Sequence, residues 1–253
     1  MSTEMGMNRT GVQTSPIDSK EAEQAAQAVP PTSPGGADDA LRIRAGYARE
    51  APPIGSVPPP GSVRGVVTAA AQLLTGKSPA ALIDKLGQRL AFERSGTRLY
   101  EALLAKLDAT GSFHGGPSRE EIHGIHDDEL GHFHLLRRSI EGIGADPTAM
   151  TPAADVVGVA SLGLYQVVTD PRTTLAQSLE AILVAELTDA DSWRRLIEVA
   201  EVYGQDDMAR DFRAAEAAEQ RHVALVRAWV DAAAQLEARG KMEEERPGQE
   251  QAA

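Results

Sequence analysis

Four long segments of this chain repeat apolar residues every three to four positions, and each interrupts its apolar row with a glutamate near mid-length. A carboxylate is seldom buried unless it is paired or bound to a metal. A fold that packs these rows together must therefore neutralise or pair the glutamates, and bound cations are the expected means. The first segment is bracketed by Ser78-Pro79 and Thr110-Gly111, with the inward row Leu86, Leu90, Glu93, Thr97, Tyr100, Leu104 and Leu107. The second opens on Ser118 with Glu121, a capping box, and ends at 142–144; its row is Ile122, Ile125, Glu129, His132, Leu136 and Ile140. The third runs from Asp170-Pro171 to Gly204 with Leu175, Leu179, Ile182, Glu186, Trp193, Leu196 and Ala200 inward. The fourth runs from Asp206 to Gly240 with Phe212, Ala215, Glu219, His222, Val226 and Trp229 inward.

No segment reads as a strand, so the expected class is all-α. Short links between the first two helices and between the last two predict antiparallel hairpins. Residues 145–169 predict a long crossover, with a short apolar helix over Val156–Val168 packed across the end of the bundle. The expectation is a four-helix bundle of two antiparallel hairpins over residues 78–238.

Composition sets the remaining bounds. Residues 1–77 hold most of the prolines and few large apolar side chains, which predicts a disordered N-terminal region. Residues 239–253, with Glu243, Glu244 and Glu245, predict a disordered charged tail. A net charge of -12 argues against a nucleic-acid partner. Zero cysteines exclude a disulfide framework, a zinc-thiolate site and an iron-sulfur cluster, leaving oxygen and nitrogen as metal ligands. The N-terminus shows no apolar signal core and no run reads as a membrane span, so we expect a soluble cytoplasmic protein without a membrane partner.

The second and fourth helices each add a histidine three residues after their glutamate, as Glu129-Leu130-Gly131-His132 and Glu219-Gln220-Arg221-His222. Positions i and i+3 share a helix face, so each helix presents a carboxylate and an imidazole to one ion. The halves match: 129 − 93 = 36 residues separate one pair of glutamates and 219 − 186 = 33 the other, and Tyr100 and Trp193 each follow the first glutamate of their half by seven. Glu120 and His123 have the same spacing but lie on the opposite face of their helix, so a chance origin for Glu-x-x-His stays open, and with it a purely structural helical protein. Asp128 is placed to orient a histidine ligand. His126 and Glu216 lie one turn from ligand positions as spare candidates. His114, His123 and His134 are expected at the surface or in a loop, and Trp193 and Trp229 in the core.

The pattern Glu…Glu-x-x-His…Glu…Glu-x-x-His, matched by Glu93, Glu129, His132, Glu186, Glu219 and His222, resembles the ferritin-like superfamily of di-iron and di-manganese carboxylate proteins, which includes bacterioferritin, rubrerythrin and manganese catalase. The resemblance covers residues 79–236. It implies two iron ions, alternatively manganese, bridged by Glu129 and Glu219, with Glu93 and His132 at one end and Glu186 and His222 at the other. It makes Tyr100 a catalytic candidate that hydrogen-bonds a ligand or supplies an electron. It further implies a redox enzyme or ferroxidase-like protein reacting with dioxygen or hydrogen peroxide; a homo-oligomer and a protein partner docked through the N-terminal region stay open. A non-catalytic iron-storage or adaptor bundle is the alternative. Three departures separate the chain from named members: no cysteine for a rubredoxin module, no methionine in the second helix for haem, and Leu183 and Asp189 where rubrerythrins carry an extra glutamate.

Overall fold

The computed structural model describes residues 16–28, 36–74, 76 and 78–240. Among these it is all-α, with α1 (Pro16–Ala28), α2 (Ala37–Glu50), α3 (Val63–Leu74), α4 (Pro79–Thr110), α5 (Arg119–Gly142), α6 (Pro152–Thr169), α7 (Leu175–Val202) and α8 (Asp206–Ala238). The chain divides into two compact units, Met1–Pro53 and Ile54–Ala253. In the first, α1 and α2 leave Ile17, Leu41, Ile43 and Tyr47 exposed, so helices form where disorder was expected, but without a core of their own. The charged tail expected beyond Gly240 lies outside the described residues.

In the second unit the signals at the start of α5 and the end of α4 act as expected, whereas Ser78 precedes α4 without a side-chain cap hydrogen bond. Ser118 caps α5 by accepting from Glu121 N while the Glu121 side chain accepts from Ser118 N, and Gly111 closes α4 with a positive φ of 78°. The third long helix starts later than expected, at Leu175. Thr174 and Gln177 make a second capping box there, so Asp170 and Pro171 belong to the preceding turn.

The middle connection also differs. Thr151 caps α6, an 18-residue helix that runs along the side of α4 rather than across an end. Asp84 near the start of α4 accepts from Ala153 N at 2.9 Å, and Lys106 near its end donates to Asp170 O at 2.9 Å and Thr173 O at 2.8 Å. The two helices are therefore parallel. By length and composition alone α6 also meets the requirements of a membrane span, which the sequence reading missed, with Val156, Val159, Leu162 and Tyr165 exposed along it.

The second unit has α4 against α5, α6 and α7, α7 against α8, and α5 against α8. All expected inward positions on α5, α7 and α8 are buried. On α4, Thr97 and Leu104 are only half-buried while Leu99 and Leu103 are buried, because α6 covers a second side of this helix. Two apolar clusters result. One is built around Tyr100, Leu103, Ile125, Ile182 and Val226, the other around Leu86, Leu136, Trp193 and Phe212.

Candidate metal centre

Glu93 of α4, Glu129 and His132 of α5, Glu186 of α7 and Glu219 and His222 of α8 form a polar layer within this apolar surround. Their relative exposures are 0, 1, 8, 2, 0 and 4%. Ligand atoms of Glu93, Glu129, His132 and Glu219 lie within 4.8 Å of one another, and so do those of Glu129, Glu186, Glu219 and His222. The two sets share Glu129 and Glu219. His132 Nδ1 is 2.7 Å from Glu219 Oε1 and 3.7 Å from Glu93 Oε2. His222 Nδ1 is 3.4 Å from Glu219 Oε2 and 3.7 Å from both Glu129 Oε1 and Glu186 Oε2.

Buried polar atoms normally find partners. Here both oxygens of Glu129 and Glu219, one each of Glu93 and Glu186, and Nδ1 of both histidines have no hydrogen-bond partner. Even the 2.7 Å approach of His132 Nδ1 to Glu219 is an ion-pair separation without hydrogen-bond alignment. Every one of the six residues thus aims at least one unpartnered donor atom inward. Such a set of carboxylate oxygens and imidazole nitrogens could hold metal ions.

The outward atoms of His222, Glu186 and Glu93 are, by contrast, occupied. Asp128 Oδ2 sits 3.1 Å from His222 Nε2, so the expected orienting role is filled across to α8. Because a carboxylate can only accept, Nε2 carries the hydrogen and Nδ1 is left to face the glutamates. Tyr100 donates to Glu186 Oε1 at 2.5 Å, which leaves Oε2 for the interior. Arg89 donates to Glu93 Oε1 and, at 2.5 Å, to Asp189 Oδ1, with its guanidinium also 4.8 Å from the Phe92 ring centroid. Finally, a Cβ on Gly96 would overlap Glu129 Oε2, so this carboxylate can occupy its position only because α4 has a glycine there.

Arg89, Asp189 and Gly96 were not read from the sequence as site residues. Their phase was available, since Arg89 is four before Glu93, Gly96 three after it, and Asp189 three after Glu186. His126 and Glu216 do not join the cluster: His126 meets Asp127 at the surface. Trp193 packs edge-on to His132 with ring centroids 5.4 Å apart, and Trp229 is in the core as expected.

Burial and mutual repulsion dominate the electrostatics. Burial, reinforced by Glu93 and Glu219, raises Glu129 well above the ordinary carboxylate range. Burial and the nearby Glu219 raise Glu186 to about 8. In Glu93 and Asp189 burial also prevails, over the opposing attraction of Arg89. Glu219 goes the other way: burial opposes its charge, but the close approach and attraction of the His132 and His222 imidazoles outweigh it and lower the carboxyl to about 2. Correspondingly, burial would lower His222, yet Glu219 and Glu186 hold it up at about 9.

Comparison with protein-family models, curated proteins and solved structures gave no match.

Proposed function

We propose that this chain is a ferritin-like four-helix bundle, formed by α4, α5, α7 and α8 with α6 along one flank. In this reading its buried cluster holds two iron ions, or alternatively manganese, for reaction with dioxygen or hydrogen peroxide. The observation that carries the reading is the pair of overlapping four-residue sets sharing Glu129 and Glu219, in which every residue has an unpartnered inward atom. Four carboxylates balance two divalent ions, and Arg89 cancels Asp189, so the loaded layer is neutral. Oxygen and imidazole ligands without thiolate suit iron and manganese.

When bound, the ions would supply the redox chemistry. The chain's own groups position and enclose. Asp128 fixes the His222 tautomer, Tyr100 and Arg89 hold the outer oxygens of Glu186 and Glu93, and Trp193 and Phe212 close one side. Exposures of 8% or less across the six residues favour a reactant as small as dioxygen or peroxide. The same enclosure suits iron storage without turnover, which is the second reading.

Purified protein is expected to carry at least two iron or manganese ions per chain, and the Glu129→Ala and Glu219→Ala variants to lose the two of the buried layer because each removes a shared ligand. Oxygen-electrode and peroxide assays after Fe(II) addition separate the readings: repeated turnover supports the enzyme, and a single stoichiometric uptake supports storage. Ion content unaffected by either substitution would refute both.

A further inference from the structure

His123, His126 and Asp127 form a group that the buried centre does not use. Their spacing of i, i+3 and i+4 places all three on one face of α5, and their ligand atoms lie within 4.8 Å of one another. His123 Nδ1 is 3.1 Å from Asp127 Oδ2 and His126 Nδ1 is 3.0 Å from Asp127 Oδ1. Both imidazoles thus converge on one carboxylate with the same ring nitrogen. Glu101 of α4 brings a second carboxylate oxygen to 3.8 Å from His126 Nε2. An isolated helix-surface hydrogen bond needs one donor and one acceptor; here two borderline nitrogen ligands meet one hard carboxylate on a single face of α5, while Glu101 lies toward the other ring nitrogen of His126. That set suits a divalent transition metal.

The group is also placed at the edge of the buried layer. Asp127 is followed by Asp128, which holds His222, and Glu101 is preceded by Tyr100, which holds Glu186. Both chain connections lead to the same half of the cluster. Side-chain exposure falls from 60% at Asp127 and 53% at His123 to 17% at His126, so the group grades from solvent toward the interior.

We propose that His123, His126 and Asp127, with Glu101 beside them, are a surface site for a divalent transition-metal ion that supplies the buried Glu186 and His222 half of the centre. The existence of the site is independent of the function proposed above; the supplying role rests on it.

The test uses the full chain, freed of metal, with Co(II) as the probe. Equilibrium dialysis counts ions, and stopped-flow absorbance follows filling of the buried centre. Wild type is expected to bind three ions per chain. His123→Ala with His126→Ala is expected to bind two, with filling slowed severalfold and the unfolding midpoint of the metal-free protein unchanged, since these side chains are at or near the surface. Glu129→Gln with Glu219→Gln is expected to keep the surface ion alone. If the double-histidine variant binds as many ions as wild type, the surface site does not exist. If it loses one ion but fills at the wild-type rate, the supplying role is refuted. If the double-glutamate variant binds as wild type does, the failure belongs to the buried centre, and the histidine variant still decides the surface site.

Discussion

Gly96 and Glu129 show how closely backbone and ligand are fitted. Replacing Gly96 with alanine favours the helix by about 1 kcal/mol, yet the new methyl group occupies the position of Glu129 Oε2. The cost therefore falls on the carboxylate, which must rotate away from the ions it is read to share. We expect Gly96→Ala to leave the metal-free unfolding midpoint within a few degrees of wild type while ion content drops by one or two per chain, measured by elemental analysis. Undiminished ion content would mean that Glu129 can reach the ions from another rotamer. The contrast with the glutamates explains what was legible at this scale. A charged residue in phase with an apolar row announces itself, and so the six residues of the buried layer could be read from the sequence. A glycine in that row is silent, and Arg89 and Asp189 acquire meaning only when α4 and α7 dock and place them 2.5 Å apart. Asp128 lies between these cases: its orienting role could be read from its position beside Glu129, but its partner, His222, depends on how α5 meets α8.

Among the elements, a capping box was legible where no rival start signal stood beside it. Ser118 with Glu121 fixed one start, whereas Pro171 drew attention away from the Thr174 and Gln177 box that begins α7. α6 was harder. Its apolar residues show that it packs on something but not which flank, and the hydrogen bonds that align it come from Asp84 and Lys106 on α4. Lys106 gathers two carbonyls just beyond the α6 C-terminus, an arrangement that a cation serves well. Substitution to methionine keeps the length of the side chain and removes those bonds, at a cost of about 1–3 kcal/mol. For Lys106→Met we expect an unfolding midpoint several degrees lower and faster amide exchange across 152–174, with ion content unchanged. Loss of ions in this variant would show that α6 does more than cover the flank of α4.

Across the second unit, one layer of charge lies among apolar clusters, and protons substitute for ions when none are bound. The sign of the resulting pH dependence follows from three groups. Folding raises Glu186 from 4.5 to about 8, so its contribution to stability is complete below 4.5 and is lost as pH rises through 8. His222 rises from 6.5 to about 9, so its contribution is present below 6.5 and is lost as pH rises through 9. Glu219, lowered from 4.5 to about 2, contributes above 4.5 and loses that contribution only as pH falls through 2. Between roughly pH 5 and pH 9 the first two act in the same direction and the third is constant. The metal-free protein should therefore unfold at progressively lower temperature as pH rises across this window. Bound ions displace those protons, so the Mn(II)-loaded protein should show a flatter profile, and loading at neutral pH should release protons, seen as a calorimetric heat that varies with the buffer's ionisation enthalpy. A metal-free midpoint that holds steady or climbs with pH, together with buffer-independent heats, would mean that these carboxylates and histidines do not share one buried layer, and that the ions have no charge there to neutralise.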